Sequence, residues 1–229
     1  MDTGNNNDIP TLLKSNFPPY GRDFPDGVPT GRFSDGKVPS DIIVVSSSND
    51  LAETYLVRSI EFDRNSYAEY LAELASKFIK ELSGLGAKKI GVFSGVPVGC
   101  LPFQRTLFGG LRRECFEDLN NMALHFNSKL SSNLDALKKE LPGKLIFIDV
   151  YETLLDIIKT PENYGFEVAD KGCCGTGVIE LAVLCNQLTP FTCSDPSTHV
   201  FFDSYHPSEK AYHILTDKAM DKYLKYLSN

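Results

Sequence analysis

Lys88 to Gly95, "KKIGVFSG", and Lys144 to Val150, "KLIFIDV", decide how this chain folds. Each is a short apolar run rich in Ile, Val and Phe, and each ends at a polar loop, as a buried strand does. Between them, from about Leu111 to Leu141, Phe116, Leu119, Ala123, Phe126, Leu130, Leu134, Leu137 and Leu141 recur at intervals of three and four. That spacing predicts one long amphipathic helix, stopped by Pro142-Gly143. A strand, a helix and a strand in this order require a right-handed crossover, so the two strands are expected to lie parallel.

The same alternation extends outward. "DIIVVSSS" (41–48) predicts a strand on one side. From Asn65 to Leu82 the stripe Tyr67, Tyr70, Leu71, Leu74, Phe78 and Leu82 predicts a helix closed by Gly84 and Gly86. Further on come a short helix around Thr153 to Lys159, a cysteine-rich loop, and a last helix from Pro207 to Leu227. Residues 1 to 40 are dense in Gly, Pro, Asn and Asp with no sustained period, and read as an irregular loop wrapped over the surface. The expected fold class is α/β, a parallel sheet covered on both faces in a single domain spanning residues 1–229. In such sheets chemistry sits beyond the carboxyl ends of the strands, where "SSND", "SGVPVGCLP" and "DSYHP" are expected to fall.

Composition narrows the function. With 229 residues, 42% hydrophobic and 23% charged, the chain has the make-up of a globular domain. A net charge of -7 with scattered Lys and Arg argues against a nucleic-acid surface. No apolar run is long enough for a transmembrane segment, and the first residues carry no secretory signal. Six cysteines (Cys100, Cys115, Cys173, Cys174, Cys185 and Cys193) nevertheless suggest a disulfide framework and an oxidising compartment. Zinc on Cys173, Cys174, Cys185, Cys193 and His199 is the competing reading. It lacks paired C-x-x-C knuckles, so no metal and no cofactor is expected, and buried free thiols stand between the two.

Asp203 and His206, three apart in "FFDSYHPSEKAY", have the residue types of a general base and its orienting carboxylate. The bland alternative is helix capping, with Asp203 or Ser204 ahead of Pro207 and Glu209 in the first turn. Asn49, after the 41–48 strand, is either an oxyanion donor or a turn former. His199 and His213 read as surface or helix-face residues.

The blocks "DTGNNN", "GRFSDGKVPSD", "SSSND", "SGVPVGCLP", "KGCCGTG" and "LCNQLTPFTCSDPSTHVFFDSYHPSEKAY", in this order, resemble the plant GDSL esterase/lipases of the SGNH hydrolase superfamily, in particular the extracellular lipases. The resemblance covers almost the whole chain. It implies a flavodoxin-like three-layer α/β/α fold and a secreted serine hydrolase acting on lipid or acyl esters. It also implies His206 as general base, Asp203 as its partner and Asn49 as an oxyanion donor.

The resemblance also exposes departures. The family's Gly-Asp-Ser is expected just ahead of "DTGNNN", so the nucleophilic serine is absent from the 229 residues, as is the strand before it. Block II is expected where Ile43 joins Val44, so the domain is internally shortened there and the fold incomplete. Ser47 stands where the third block carries Gly. Ser46, Ser47, Ser48 and Ser94 lack the Gly-x-Ser-x-Gly context of a substitute nucleophile, and Cys100 or Cys174 is better explained by a disulfide. The expectation is an esterase by family that is inactive as this chain. A non-catalytic binding or structural protein is the alternative.

Overall fold

A computed structural model describes residues 14–23, 27–29, 33–35, 50–176, 179, 184–186 and 191–228. The expected 41–48 strand, the Ile43–Val44 junction and Asn49 lie outside the described residues. The chain divides into two compact units. One comprises Met1–Val44, Cys100–Phe116 and Leu155–Thr216, and the other Val45–Gly99, Glu117–Leu154 and Asp217–Asn229.

The second unit holds the pair of strands that the sequence marks most clearly. Strands β1 (Lys89–Phe93) and β2 (Lys144–Ile148) run parallel, with Lys89 opposite Lys144 and Phe93 opposite Ile148. Just before β2 stands Gly143, whose φ is +101° and where a Cβ would lie 2.3 Å from the Lys88 carbonyl oxygen. Only glycine fits there, which explains why the Pro142-Gly143 stop also sets the strand register. Ile148, Val150 and Ala219 form a small core with Phe93, Val96, Ile146 and Tyr223 around it.

Helix α1 (Tyr55–Arg58) follows a π-helical turn at Asp50–Thr54. Helix α2 (Arg64–Gly84) starts at Asp63, whose carboxylate accepts from the Asn65 and Ser66 N–H groups. The buried face of α2 differs from the expected stripe. Tyr67, Ala68, Leu71, Ala72, Ile79 and Ser83 are buried, whereas Tyr70, Leu74 and Phe78 are exposed. The small Ala68 and Ala72 let the next long helix, packed on α2, come close: its Asn133 side chain donates to the Ala72 carbonyl. Tyr70 instead stacks on Phe62, ring centroids 5.5 Å apart.

That long helix, α4, spans Glu117–Glu140 and buries Leu119, Ala123, Phe126, Leu130, Leu134 and Leu137 as its period requires. It starts six residues later than the expected Leu111. In the first unit, helix α3 (Pro102–Phe108) is followed by a 3-10 turn at Gly110–Arg112 and by Arg113 at a left-handed φ of 51°. The Arg113 guanidinium donates to the Asp170 and Pro102 carbonyls, and Cys115 is bonded to Cys100, so this stretch cannot continue a helix.

Also in the first unit, strands β3 (Val168–Gly172) and β4 (His199–Phe201) run parallel inside what the sequence presents as a loop. The short helix around Thr153 is α5 (Tyr151–Lys159). The last helix, α6 (Glu209–Ser228), starts two residues after Pro207 because Pro207 bridges to Phe201 and the Ser208 N–H donates to the Val200 carbonyl. Among the described residues no helix is long and apolar enough to cross a membrane.

Candidate active site

Strand β4 delivers the site. Val200, Phe201 and Phe202 are wholly buried, and the Cys173 and Cys174 N–H groups donate to the Phe201 and Phe202 carbonyls at 3.0 and 2.7 Å. At Gly172 a Cβ would meet the Asp203 backbone at 2.8 Å, so glycine is what lets β3 run this close. The chain then turns sharply: the Phe202 N–H donates to the His206 carbonyl at 2.7 Å.

Within that turn Asp203 Oδ1 accepts from the Tyr205 and His206 N–H groups, both at 2.8 Å. His206 Nδ1 stands 2.9 Å from each carboxylate oxygen. The expected pair is therefore formed, and its geometry is that of a carboxylate orienting an imidazole. The capping alternative is carried by other residues: the Ser208 hydroxyl is 3.4 Å from the Ala211 N–H, and Asp35 accepts from Glu209 N. The Asp203 side chain is 4% exposed and that of His206 16%, which leaves the imidazole an edge open to solvent and its partner none. Burial pushes the Asp203 carboxyl up, but the His206 charge and its hydrogen bonds outweigh that and hold it below the usual carboxylate range. A carboxylate facing Nδ1 fixes the proton there and puts the basic lone pair on Nε2.

Of the segment expected to wrap the surface, Tyr20, Phe33, Ser34 and Asp35 are instead buried. Tyr20, 2% exposed, donates its hydroxyl to Asp203 Oδ2 at 2.9 Å, and Phe33 lies 5.0 Å from the His206 ring. Tyr20 and Phe33 cluster with Phe202 and with Cys173, Cys174 and Cys185. Gly21 N–H to Ser34 O and Asp23 N–H to Asp35 O tie the two pieces of this segment together. Its burial had no signal in the sequence, because irregular backbone gives its apolar residues no period to repeat.

All six cysteines are paired, Cys100–Cys115, Cys173–Cys193 and Cys174–Cys185, so none supplies a thiolate for zinc or for nucleophilic attack. His199 Nδ1 lies 2.9 Å from the Thr198 hydroxyl, and burial pushes its pKa down. His213 is exposed, 3.8 Å from Glu209. In the second unit Ser94 is buried, with Oγ accepting from the Val150 and Tyr151 N–H groups and donating to Asp149, a bracing role rather than a nucleophilic one. Ser46, Ser47 and Ser48, like Asn49, lie outside the described residues. The carboxylates of Asp23, Asp35 and Glu209 come within 4.8 Å of one another, and burial with the neighbouring Asp23 raises Asp35 to about 6.

The chain also matches known proteins along its length. The GDSL-like Lipase/Acylhydrolase family model matches residues 5–219. A GDSL esterase/lipase of Arabidopsis thaliana is 61% identical over 310 aligned positions, covering 100% of this chain and 88% of the relative. A second GDSL esterase/lipase of that plant is 46% identical over 307 positions, covering 98% and 88%, and a third is 43% identical over 310, covering 99% and 84%. These alignments are longer than the chain's own 229 residues, so the relatives carry residues that face no residue here.

Proposed function

The chain belongs to the GDSL-like lipase/acylhydrolase family, and from that premise we propose that it carries the acid–base half of a serine carboxylic-ester hydrolase acting on lipid or acyl esters. His206 is the general base, Asp203 its orienting partner and Asn49 a donor to the oxyanion. The observation that supports this best is the doubly contacted His206 Nδ1, 2.9 Å from both oxygens of a buried carboxylate. In the reaction, Nε2 takes the proton of a serine hydroxyl as its oxygen adds to the ester carbonyl. Asp203 stabilises the imidazolium, and the imidazolium returns the proton to the departing alcohol. Water then repeats the sequence to release the acid.

The 229 residues contain no Gly-Asp-Ser, and our reading is that this polypeptide by itself does not hydrolyse esters. The surplus of aligned positions in the relatives supports the loss of an internal segment, and our reading puts that loss where Ile43 meets Val44. Three disulfides support an extracellular setting. The test compares the purified chain with His206→Ala on p-nitrophenyl butyrate, then repeats it after adding the Gly-Asp-Ser and internal segments of the 61% identical relative. Neither form of the chain should exceed buffer, and the completed chain should gain turnover that His206→Ala lowers at least ~1,000-fold. Turnover by the original chain that vanishes in His206→Ala overturns the inactivity and sends mutagenesis first to Ser46, Ser47 and Ser48. A completed chain without His206-dependent turnover favours a non-catalytic binding protein.

A further inference from the structure

We propose that Tyr20 is a positioning residue for the Asp203–His206 pair, its hydroxyl fixing the carboxylate that in turn aims the imidazole. The inference rests on the reading of that pair as the acid–base machinery. A carboxylate turns about its Cβ–Cγ bond unless both oxygens are held. Oδ1 of Asp203 is held by two backbone N–H groups of its own turn. Oδ2 is reached by the Tyr20 hydroxyl, 183 residues distant in sequence, at 2.9 Å. Without that donor Oδ2 is left, among the described residues, with His206 Nδ1 alone, so the plane of the carboxylate is set on that side by the ring it is meant to orient.

The ring that carries the hydroxyl is itself immobilised. It meets Phe17, Phe33 and Phe202 edge-on at centroid distances of 5.7, 5.6 and 5.4 Å. Phe33, one neighbour of this ring, also lies against His206. The same aromatic group therefore touches both members of the pair. The electrostatic effect follows. A phenol donating to the carboxylate spreads its negative charge and weakens its pull on the imidazolium, in a site where little water screens the interaction. Among the described residues, Tyr205, on the same loop with its ring 6.3 Å from that of His206, and Asp203 are titratable groups set around the imidazole.

The test uses the full 229-residue chain with labelled histidine, following the His206 ring by NMR as pH is varied. Tyr20→Phe keeps the ring and its packing and removes only the hydroxyl. The His206 midpoint should rise by about 0.3 to 1 pH unit in that variant. In an Asp203→Asn background, adding Tyr20→Phe should shift it no further, because the effect travels through the carboxylate. A purely structural role would lower the melting temperature and leave the midpoint in place. An unchanged midpoint, or a shift that persists in the Asp203→Asn background, overturns the proposal. Should Tyr20→Phe not fold, the slowed hydroxyl proton of Tyr20 in the wild-type chain must move in Asp203→Asn, and a stationary resonance overturns it equally. Loss of the hydrolase reading would show instead as absence of His206-dependent turnover in the completed chain, with this titration unaffected.

Discussion

The Asp35 carboxylate accepts a hydrogen bond at 2.8 Å from the Glu209 backbone N–H, 174 residues further along the chain. It thereby satisfies one of the unpaired donors at the start of α6, three residues after His206, and links the early segment to the helix behind the pair.

The same burial makes Asp35 sensitive to pH. Its carboxyl is raised from 3.8 to about 6 by desolvation and by Asp23, so between those values the folded chain binds a proton that the unfolded chain lacks. Its contribution is therefore most favourable below about 4 and is lost as pH rises through 6. Asp35→Asn keeps an acceptor for Glu209 N–H and removes the titration. Chemical denaturation at pH 5 and pH 7.5 should show the wild type losing about 1.4 kcal/mol more than Asp35→Asn across that interval. Parallel losses in the two proteins would contradict this account.

Asn127 grips the backbone of Gly95 with both ends of its amide, Oδ1 accepting from N–H at 2.6 Å and Nδ2 donating to the carbonyl at 3.0 Å. Asn120 Oδ1 likewise accepts from the Gly99 N–H at 2.9 Å. Both glycines are buried. Truncation strands one or two buried polar groups, each at ~1 to 3 kcal/mol. Asn127→Ala should therefore destabilise by roughly 2 kcal/mol or more in urea unfolding, and a loss under ~1 kcal/mol would show that the double contact contributes little.

The long helix, its Pro142-Gly143 stop and the two strands it joins were legible because each obeys a period the chain repeats several times. Residue type and spacing offered the Asp203–His206 pair only as a candidate beside helix capping, and it was the resemblance that favoured it; the structure brings the two within 2.9 Å. Strand β3 was not, since "VADKG" offers Val as its one strong β-former and is held in place by Phe201 and Phe202 carbonyls and by two disulfides that composition does not reveal. The late start of α4 was hidden for a similar reason: Phe116 continues the apolar stripe, but the Cys100–Cys115 bond and Arg113 fix another backbone path. Tyr20 and Phe33 went unread because their partners lie more than 170 residues away.

Reduction should act on the pair through its support. The Cys173–Cys193 and Cys174–Cys185 bonds close loops of 20 and 11 residues beside Phe202. Chain-entropy arguments give roughly 3 kcal/mol for each. Thiol reductant should lower the melting temperature, and replacing Cys173 and Cys193 together by Ala should broaden the His206 ring resonance in NMR. A sharp, unshifted resonance in that double variant would show that the site is held without the bond.

Those two bonds also leave from neighbouring residues and close one inside the other, Cys174–Cys185 within Cys173–Cys193. A protease that cuts once between residues 174 and 185 leaves the pieces joined by the inner bond and by the outer one. A cut between 185 and 193 leaves them joined by the outer bond alone. In either case the segment bearing Asp203 and His206 stays covalently attached to β3. A chain built this way tolerates a nick between Cys174 and Cys193, and the damage becomes a separation into two fragments only where a reductant is also present.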